Sequence, residues 1–299
     1  MKHRILVAGG AGYIGSHVQK QLLEDGFEVA VFDDLSSGDR KNILPGAAFI
    51  EGNILDKAAL NAAMRQEIDG VVHLAAKKAV GESMVKPELY AENNISGSIN
   101  ILNAMAENGV KHIVFSSSAA VYGMPEYVPI DEDHRIAPIN YYGYTKLEGE
   151  KRIAAVCKDY AIVRVVVVYG ASLPGQHGNV LQLVANRLRS NEEVFVVSDQ
   201  WRTPTFVGDV SQGVEKLISH PQNGIYHLCG SECLTIADIA YRVADVLGLN
   251  RSLIRPVTTK EMNEKTPRPR FSGLSIEKAR RELGYRPHTL EEGIKLMFG

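Results

Sequence analysis

The chain has 299 residues, of which 45% are hydrophobic and 23% charged, and its formal net charge is −2. This composition is typical of a globular protein with a large core, and the near-neutral charge argues against nucleic acid or an anionic membrane as a partner. No apolar run approaches the ~20 residues that a membrane helix needs, and the opening MKHRILVAGG lacks the features of a secretory signal. Three scattered cysteines neither form a disulfide framework nor complete a metal site, so we expect a cytoplasmic protein without a metal.

Short apolar runs alternate with longer amphipathic stretches through the first part of the chain. Continuous apolar runs predict strands buried on both faces, and the alternation predicts a parallel sheet with crossover helices. We therefore expect an α/β protein built on a doubly wound Rossmann sheet. The predicted strands are 5–8, 29–32, 49–50, 71–75, 113–116 and 163–169, and the predicted helices are 15–25, 56–67, 90–108 and 143–158.

The second part of the chain alternates less regularly. A loop rich in Gly and Pro at 170–179 precedes a predicted helix at 180–190, a short VFVV run and the turn-like WRTPT. Further helices are predicted at 235–248 and 275–284.

This change of pattern divides the chain into a dinucleotide-binding region, 1–170, and a smaller α/β substrate-binding region, 171–299. We expect some segments of the second region to return to the sheet and the rest to cover its C-terminal edge, where open α/β sheets bind ligands. Residues 251–288 carry ten Lys and Arg against four Asp and Glu, an excess that suits a diphosphate or equally a solvated surface.

A glycine motif, VAGGAGYIGSH, follows the first predicted strand and places Gly9, Gly12 and Gly15 in the pattern G-x-x-G-x-x-G. Glycines let the backbone turn sharply beside a pyrophosphate, and the helix that follows offers free N–H groups to it. The second strand ends in VFDD, where Asp33 would accept hydrogen bonds from ribose hydroxyls and repel a 2′-phosphate. The motif therefore predicts NAD rather than NADP, and Asp34 is an adenine contact or a polar strand end.

The stretch NYYGYTK contains the single Tyr-x-x-x-Lys pair of the chain, Tyr142 and Lys146. Residues four apart on a helix share one face, so the ammonium can lie beside the phenol. By itself this spacing is equally typical of a solvated helix face.

Taken together, the glycine motif, HLAA at 73–76, SSSAAVYG at 116–123 and the Tyr-x-x-x-Lys pair resemble the extended short-chain dehydrogenase/reductase family. The stretch AAKKAVGESMVKPELYAENNISGSINIL is similar to UDP-glucose 4-epimerases. This resemblance implies that Ser118, Tyr142 and Lys146 are catalytic and that a nicotinamide exchanges hydride at the sugar C4. It also implies a cofactor site formed by Gly9, Gly12, Tyr13, Ile14, Gly15, Asp33, Asp34, Asn53, Ile54, Leu74, Ala75, Ala76, Lys78, Asn94, Tyr142 and Lys146, and substrate contacts from Ser118, Tyr142, Arg202 and Arg268.

The chemistry of the trio explains this choice of residue types. A tyrosine with a pKa of ~10 is too weakly acidic to act as a base near neutral pH, and an adjacent cation lowers that pKa. We expect Lys146 and an oxidised nicotinamide ring to have this effect on Tyr142, which then accepts a proton from a sugar hydroxyl. Ser118 would bind the same oxygen.

The second part of the chain resembles nucleotide-sugar 4-ketoreductases of the dTDP-4-dehydrorhamnose reductase type, through VVSDQWRTPTFVGDV and PRPRFSGLSIEKARRELGY. Several residues typical of epimerases are replaced, and the replacements are Asn53, Ala120, Val167 and Phe271. We expect the epimerase likeness to cover about the first half, and the mismatch suggests the hypothesis of a recombinant between two related enzymes.

Three functions stay open, and we favour the first, a 4-epimerase of nucleotide-diphosphate sugars with retained NAD. The alternatives are a 4-ketoreductase that consumes external NAD(P)H and a catalytically silent binding subunit. By the same resemblance, helices 90–108 and 143–158 would pair between two copies and form a homodimer.

Overall fold

The computed structural model describes residues 3–172, 178–264 and 266–299. Residues 173–177 of the predicted Gly/Pro-rich loop lie outside the described residues. Within the described ranges the strands are β1 (Arg4–Ala8), β2 (Glu28–Asp33), β3 (Ala48–Glu51), β4 (Gly70–His73), β5 (His112–Ser118), β6 (Asp159–Val165), β7 (Val168–Tyr169), β8 (Val194–Val197), β9 (Trp201–Arg202), β10 (Thr205–Phe206), β11 (Gly224–His227), β12 (Leu234–Thr235), β13 (Ile254–Val257) and β14 (Phe271–Ser272).

The helices account for most of the remaining chain. In order they are α1 (Tyr13–Glu24), α2 (Lys57–Met64), α3 (Val80–Val85), α4 (Pro87–Tyr90), α5 (Gly97–Glu107), α6 (Tyr141–Val156), α7 (Val180–Arg189), α8 (Val207–Ser219), α9 (Ile236–Leu247), α10 (Thr259–Met262), α11 (Glu277–Leu283) and α12 (Leu290–Phe298), with a π-helical segment, Ala91–Ser96, between α4 and α5. Among the described residues, each helix falls short of the length and apolarity that crossing a membrane requires.

A seven-stranded parallel sheet forms the centre of the molecule, in the order β11-β6-β5-β4-β1-β2-β3. Alternate residues of β1 enter different cores: Val7 packs on one face of the sheet and Leu6 on the other. This two-sided burial is the reason that the parallel strands read as continuous apolar runs. The prediction of an α/β Rossmann fold is confirmed, and the strand order reverses between β1 and β4, where such sheets bind ligands.

The C-terminal region has a core of its own and also contributes to the sheet. Residues of α7, α9, α12 and β8 form a separate apolar cluster. Strand β11 joins the central sheet beside β6, and the short strand β14 lies beside β9. An isolated bridge between Ile130 and Leu274 further connects this region to the loop that follows β5.

Several elements differ from the sequence-based expectations. The turn-like WRTPT holds β9 and the first residue of β10, and the long helix α8 that follows was not predicted. The buried residues Val207, Val210, Val214 and Leu217 of α8 do recur with helical spacing, but the buried Asp209, Ser211 and Gly213 lie among them and weaken the apolar pattern. The helix is stabilised mainly by packing against α1, a tertiary contact that sequence spacing does not reveal.

Val167 has a left-handed backbone conformation, with φ at 43°. This conformation is strained for a β-branched side chain. Its neighbours Val165, Val166 and Val168 pack against the core beside the sheet. The carbonyl of Val167 accepts a hydrogen bond from the Thr205 N–H at 3.0 Å, which holds the strained residue in place.

We predict that Val167→Asn raises the free energy of unfolding by about 1 kcal/mol, because Asn tolerates the left-handed region far better than Val does. Equilibrium urea unfolding measures the change. The matched control, Val166→Asn, should lower stability because the Val166 side chain packs against the core. A Val167→Asn protein no more stable than the parent would contradict the assignment of strain.

Candidate active site

In the turn between β1 and α1, the backbone of the glycines lies too close to neighbouring backbone atoms to leave room for a side chain. A Cβ added to Gly9 would lie 2.6 Å from the Ala75 nitrogen, and Gly9 has φ at +81°. A Cβ added to Gly15 would lie 2.2 Å from the Gly9 oxygen, so neither position accepts a side chain. Helix α1 begins after Gly12, which has no side chain to cap the first N–H groups of that helix. An uncapped helix N-terminus on a glycine turn suits a pyrophosphate.

A continuous cleft lies at the C-terminal edge of the sheet, where its order reverses. Two adjoining cavities share Gly9, Asp33 and Ala75 among their lining residues. The predicted cofactor residues that line this cleft are Gly9, Gly12, Tyr13, Ile14, Gly15, Asp33, Asp34, Ile54, Leu74, Ala75, Ala76 and Lys78.

The two aspartates at the end of β2 have different environments. Asp33 is buried, and its carboxylate accepts hydrogen bonds from the Ala11 N–H at 2.9 Å and the Leu35 N–H at 2.8 Å. Burial raises the Asp33 pKa, while these backbone bonds lower it. Asp34 accepts a hydrogen bond from the Asn53 amide at 2.7 Å. Asn53 therefore acts on the cleft by orienting Asp34.

Asn94 is buried in the π-helical segment, behind the cleft. Its side chain makes two hydrogen bonds with the backbone of Lys77, at 2.8 and 3.0 Å. It also donates to the Thr145 hydroxyl at 3.0 Å. Asn94 thus connects the cleft loop that carries Lys78 to the helix that carries Tyr142 and Lys146.

Ser118, Tyr142 and Lys146 come together between β5 and α6. The Asn140 side chain caps α6 by accepting from the Gly143 N–H, which fixes the first turn of the helix. The Ser118 side chain faces the Tyr142 hydroxyl closely enough to lower the pKa of that phenol. Lys146 is buried, with its Nζ 6.0 Å from the centre of the Tyr142 ring, and donates to the Ser116 carbonyl at 2.7 Å.

Burial shifts both titratable members of the trio toward their neutral forms. It raises the Tyr142 pKa to about 12, while the Ser118 side chain lowers it. It lowers the Lys146 pKa to about 8, while the Glu150 carboxylate raises it. In this structure the side chain that lowers the phenol pKa is Ser118, and the expected effect of Lys146 on that pKa stays a prediction. The Lys146 ammonium instead donates to the carbonyl of Ser116.

The two predicted substrate arginines lie in the C-terminal region and outside the residues that line the cleft. Arg202 is buried, and its terminal nitrogens donate to the Gln200 side chain and to the carbonyls of Trp201, Pro269 and Arg270, at 2.7–3.2 Å. These bonds tie β9 to the 269–270 backbone. Arg268 is half-exposed, with its Nε 3.5 Å from a Glu264 oxygen. A substrate contact from either arginine stays a prediction.

Sequence reasoning missed several cleft residues. Ser36 and Ser37 follow the Asp33–Asp34 pair, so their proximity in sequence was a usable signal. Helix α3, helix α4 and the π-helical segment contribute Glu82, Tyr90 and Asn93 to the cleft, and no spacing pattern in the sequence predicted these three residues. His73 is a core histidine: it is buried, and its ring contacts the Ser98 hydroxyl at 2.9 Å.

This Rossmann sheet, with a glycine-lined cleft beside a Ser/Tyr/Lys set, defines an enzyme of the extended short-chain dehydrogenase/reductase type. A family model described as the RmlD substrate binding domain matches residues 2–299, and the chain belongs to that family.

Two curated relatives are UDP-glucose 4-epimerases. The Streptococcus mutans protein is 35% identical over 311 aligned positions, which span 95% of this chain and 91% of the relative. The Lactobacillus helveticus protein is 44% identical over 196 residues, and that match spans 62% of this chain and 59% of the relative. The epimerase likeness therefore extends at lower identity over nearly the whole chain, and the stronger identity is confined to a shorter stretch.

Solved structures include both enzyme types that the sequence resembles. A UDP-glucose 4-epimerase from Stenotrophomonas maltophila, with bound NAD and formylated UDP-arabinopyranose, has a TM-score of 0.90 at 28% identity, covering 99% of this chain and 97% of that chain. A dTDP-4-dehydrorhamnose reductase from Bacillus anthracis, in complex with NADP, has a TM-score of 0.86 at 25% identity, covering 100% and 99%.

Proposed function

We propose that the protein is a cytoplasmic NAD-dependent 4-epimerase of nucleotide-diphosphate sugars, of the UDP-glucose/UDP-galactose type. The observation that carries the proposal is the Ser118–Tyr142–Lys146 set beside a glycine-lined dinucleotide cleft. The relationship to an epimerase over 95% of the chain supports it. The cysteines, Cys157, Cys229 and Cys233, are all free, which suits a reducing compartment.

The residues of the cleft fit NAD. The backbone of Gly9 to Gly15 and the first turn of α1 would hold the pyrophosphate, and Asp33 would bind the adenosine ribose. Lys78 lines the same cleft from the loop after β4 and would bind the nicotinamide ribose. When bound, NAD supplies a hydride acceptor and donor for the C4 carbon of the sugar.

Ser118 and Tyr142 would transfer the proton of the C4 hydroxyl. Ser118 orients the C4 oxygen and faces the Tyr142 hydroxyl. Tyr142 takes the hydroxyl proton as the C4–H bond breaks, and the sugar becomes a 4-ketone. After the ketosugar turns over, Tyr142 returns the proton to the oxygen as C4 regains hydrogen on the opposite face. Since burial opposes the phenolate, the positive charges of Lys146 and of a nicotinamide ring in the cleft would both favour its formation.

A 4-ketoreductase is the second candidate function. It is favoured by the full-length likeness to a dTDP-4-dehydrorhamnose reductase and by Val167, which stands where epimerases have an Asn near the substrate diphosphate. The same proton-transfer set serves both reactions. The two functions differ in whether the reducing equivalent is returned to the sugar or supplied anew in each turnover.

We expect the purified protein to carry NAD and to convert UDP-galactose into UDP-glucose without added NADH. NMR of the sugar nucleotide measures this conversion, and absorbance at 340 nm follows NADH. A ketoreductase would instead leave UDP-galactose unchanged and consume NADH in step with a 4-ketosugar. That second pattern would reject the epimerase.

Tyr142→Phe should lower turnover at least 100-fold, because general acid–base catalysis contributes roughly 10²–10⁴-fold. Tyr141→Phe is the matched control, since it removes the hydroxyl of the preceding residue and leaves the trio intact. Sugar turnover by both variants is measured under the conditions of the parent. A catalytically silent binding subunit would show no turnover in the parent protein.

We further propose that the protein is a homodimer that pairs α6 and the α4–α5 segment between two copies. The side chains of Tyr144 and Val156 on α6 are exposed, at 42% and 67%, and apolar surface of this kind is suited to an interface.

Sedimentation equilibrium should therefore give twice the chain mass of 32.8 kDa. Introducing charge with Tyr144→Glu and Val156→Glu should shift the mass toward one chain, because burying unpaired carboxylates at an apolar interface is unfavourable. Leu183→Glu on α7, also exposed, is the control. A single-chain mass for the parent would refute the dimer.

A further inference from the structure

Three consecutive serines of β5 contact three successive turns of α6. The contacts are Ser118 side chain to Tyr142, Ser116 carbonyl to Lys146 Nζ at 2.7 Å, and Ser117 hydroxyl to Glu150 at 2.5 Å. Tyr142, Lys146 and Glu150 are spaced four apart, so they lie along one face of the helix. The first two contacts belong to the proposed catalytic set, whereas Glu150 has no assigned role.

Glu150 is held by a buried network. The residue is 4% exposed, and its carboxylate accepts from Arg164 Nε at 2.9 Å and Nη2 at 2.6 Å. Arg164 is fully buried and also donates to the Tyr122 hydroxyl at 2.5 Å. The Tyr122 hydroxyl contacts His227 Nε2 at 2.5 Å, on β11. The Glu150 carboxylate is therefore fixed by β5 and β6 and cannot move independently of the sheet.

The charge of Glu150 acts on Lys146. Burial lowers the Lys146 pKa to about 8, and the Glu150 carboxylate opposes this shift. Two other titratable groups face Lys146: Tyr142 on its own helix and His73 on β4. His73 is neutral near pH 7 because burial lowers its pKa to about 3. Among the described residues, Glu150 thus supplies the negative charge that favours the Lys146 ammonium.

We propose that Glu150 is a positioning residue: bonded to Ser117 and Arg164, it fixes the turn of α6 next to Lys146 against β5 and places its carboxylate one helical turn from the Lys146 ammonium. Its catalytic consequence rests on the proposed function. The placement of the Lys146 ammonium is independent of the proposed function, because it follows from contacts within the chain.

The test compares Glu150→Gln with Glu148→Gln. Gln keeps the size of the side chain and removes its charge. Glu148 lies on the same helix but pairs with Lys151 and Arg152, so its variant is a matched control for charge loss on α6.

NMR of the protein with ¹³C-labelled lysine, assigned by loss of the signal in Lys146→Met, reports the Lys146 pKa directly. We expect about 8 in the parent, the same in Glu148→Gln, and a value lower by roughly one unit in Glu150→Gln. The alkaline limb of the pH profile of kcat should move in the same direction, because the ammonium then loses its proton at lower pH. A Lys146 pKa unchanged by Glu150→Gln would overturn the inference.

Glu150→Gln leaves Arg164 buried without its carboxylate and can impair folding. The double variant Glu150→Met, Arg164→Met removes both charges, and Ser117→Ala removes only one hydrogen bond to Glu150. If the Glu150–Arg164 pair only stabilises the fold, the double variant should recover the parental Lys146 pKa and pH profile. That result would refute the proposal. A positioning role predicts that both stay shifted in a folded protein. If the variants show the expected Lys146 shifts and the parent protein shows no sugar turnover, the proposed function alone is rejected.

Discussion

The packing of α6 directly on β5 is the constraint on which the site depends. Gly149 permits it, because a Cβ at this position would lie 2.7 Å from the Phe115 ring. Gly143 similarly approaches the Ala120 carbonyl, which a Cβ would meet at 2.4 Å. At this separation the Lys146 side chain reaches across to the Ser116 carbonyl instead of extending into solvent. A larger side chain at either glycine would push the helix outward and separate Lys146 from the strand.

The same closeness has an electrostatic consequence. Removing Tyr142 and Lys146 from water raises the pKa of the phenol to about 12 and lowers that of the amine to about 8, so both neutral forms are favoured. Ser118 and Glu150 act against these shifts from opposite ends of the helix face. The resting site therefore has a protonated tyrosine. Placing a cation in the adjoining cleft would favour its ionisation, and this couples cofactor charge to proton transfer.

Sequence patterns predicted the parts of the molecule that local rules govern. Buried parallel strands have continuous apolar sequences, and a tight turn beside a pyrophosphate needs glycines. The succession of β1 to β6 along the chain and the roles of Gly9 and Gly15 could therefore be predicted. The cage of carbonyls around Arg202 was not, because its acceptors at 269 and 270 are distant in sequence. The hydrogen bond from Lys146 to the Ser116 carbonyl was not predictable either, since a spacing of four residues fixes proximity but not which acceptor an ammonium chooses. Glu150 is an intermediate case. The sequence shows that it lies four residues after Lys146, but its role follows only from its contact with Arg164 in the structure.

The connection between the two regions bears on the choice between epimerase and reductase. The Tyr13 hydroxyl, on the first turn of α1, donates to the Gly170 carbonyl at 3.1 Å. The Asn179 amide, at the start of α7, donates to the same carbonyl at 3.0 Å and to the Tyr13 hydroxyl at 3.3 Å. The C-terminal region is thus tied to the first turn of α1, directly after the glycine turn. Tyr13 also lines the cleft, so this tie lies at the rim of the cleft, and a tie there suits an enzyme that keeps its NAD through many turnovers. An epimerase needs that retention because it returns the hydride that it removes, whereas a reductase has to exchange its cofactor each time.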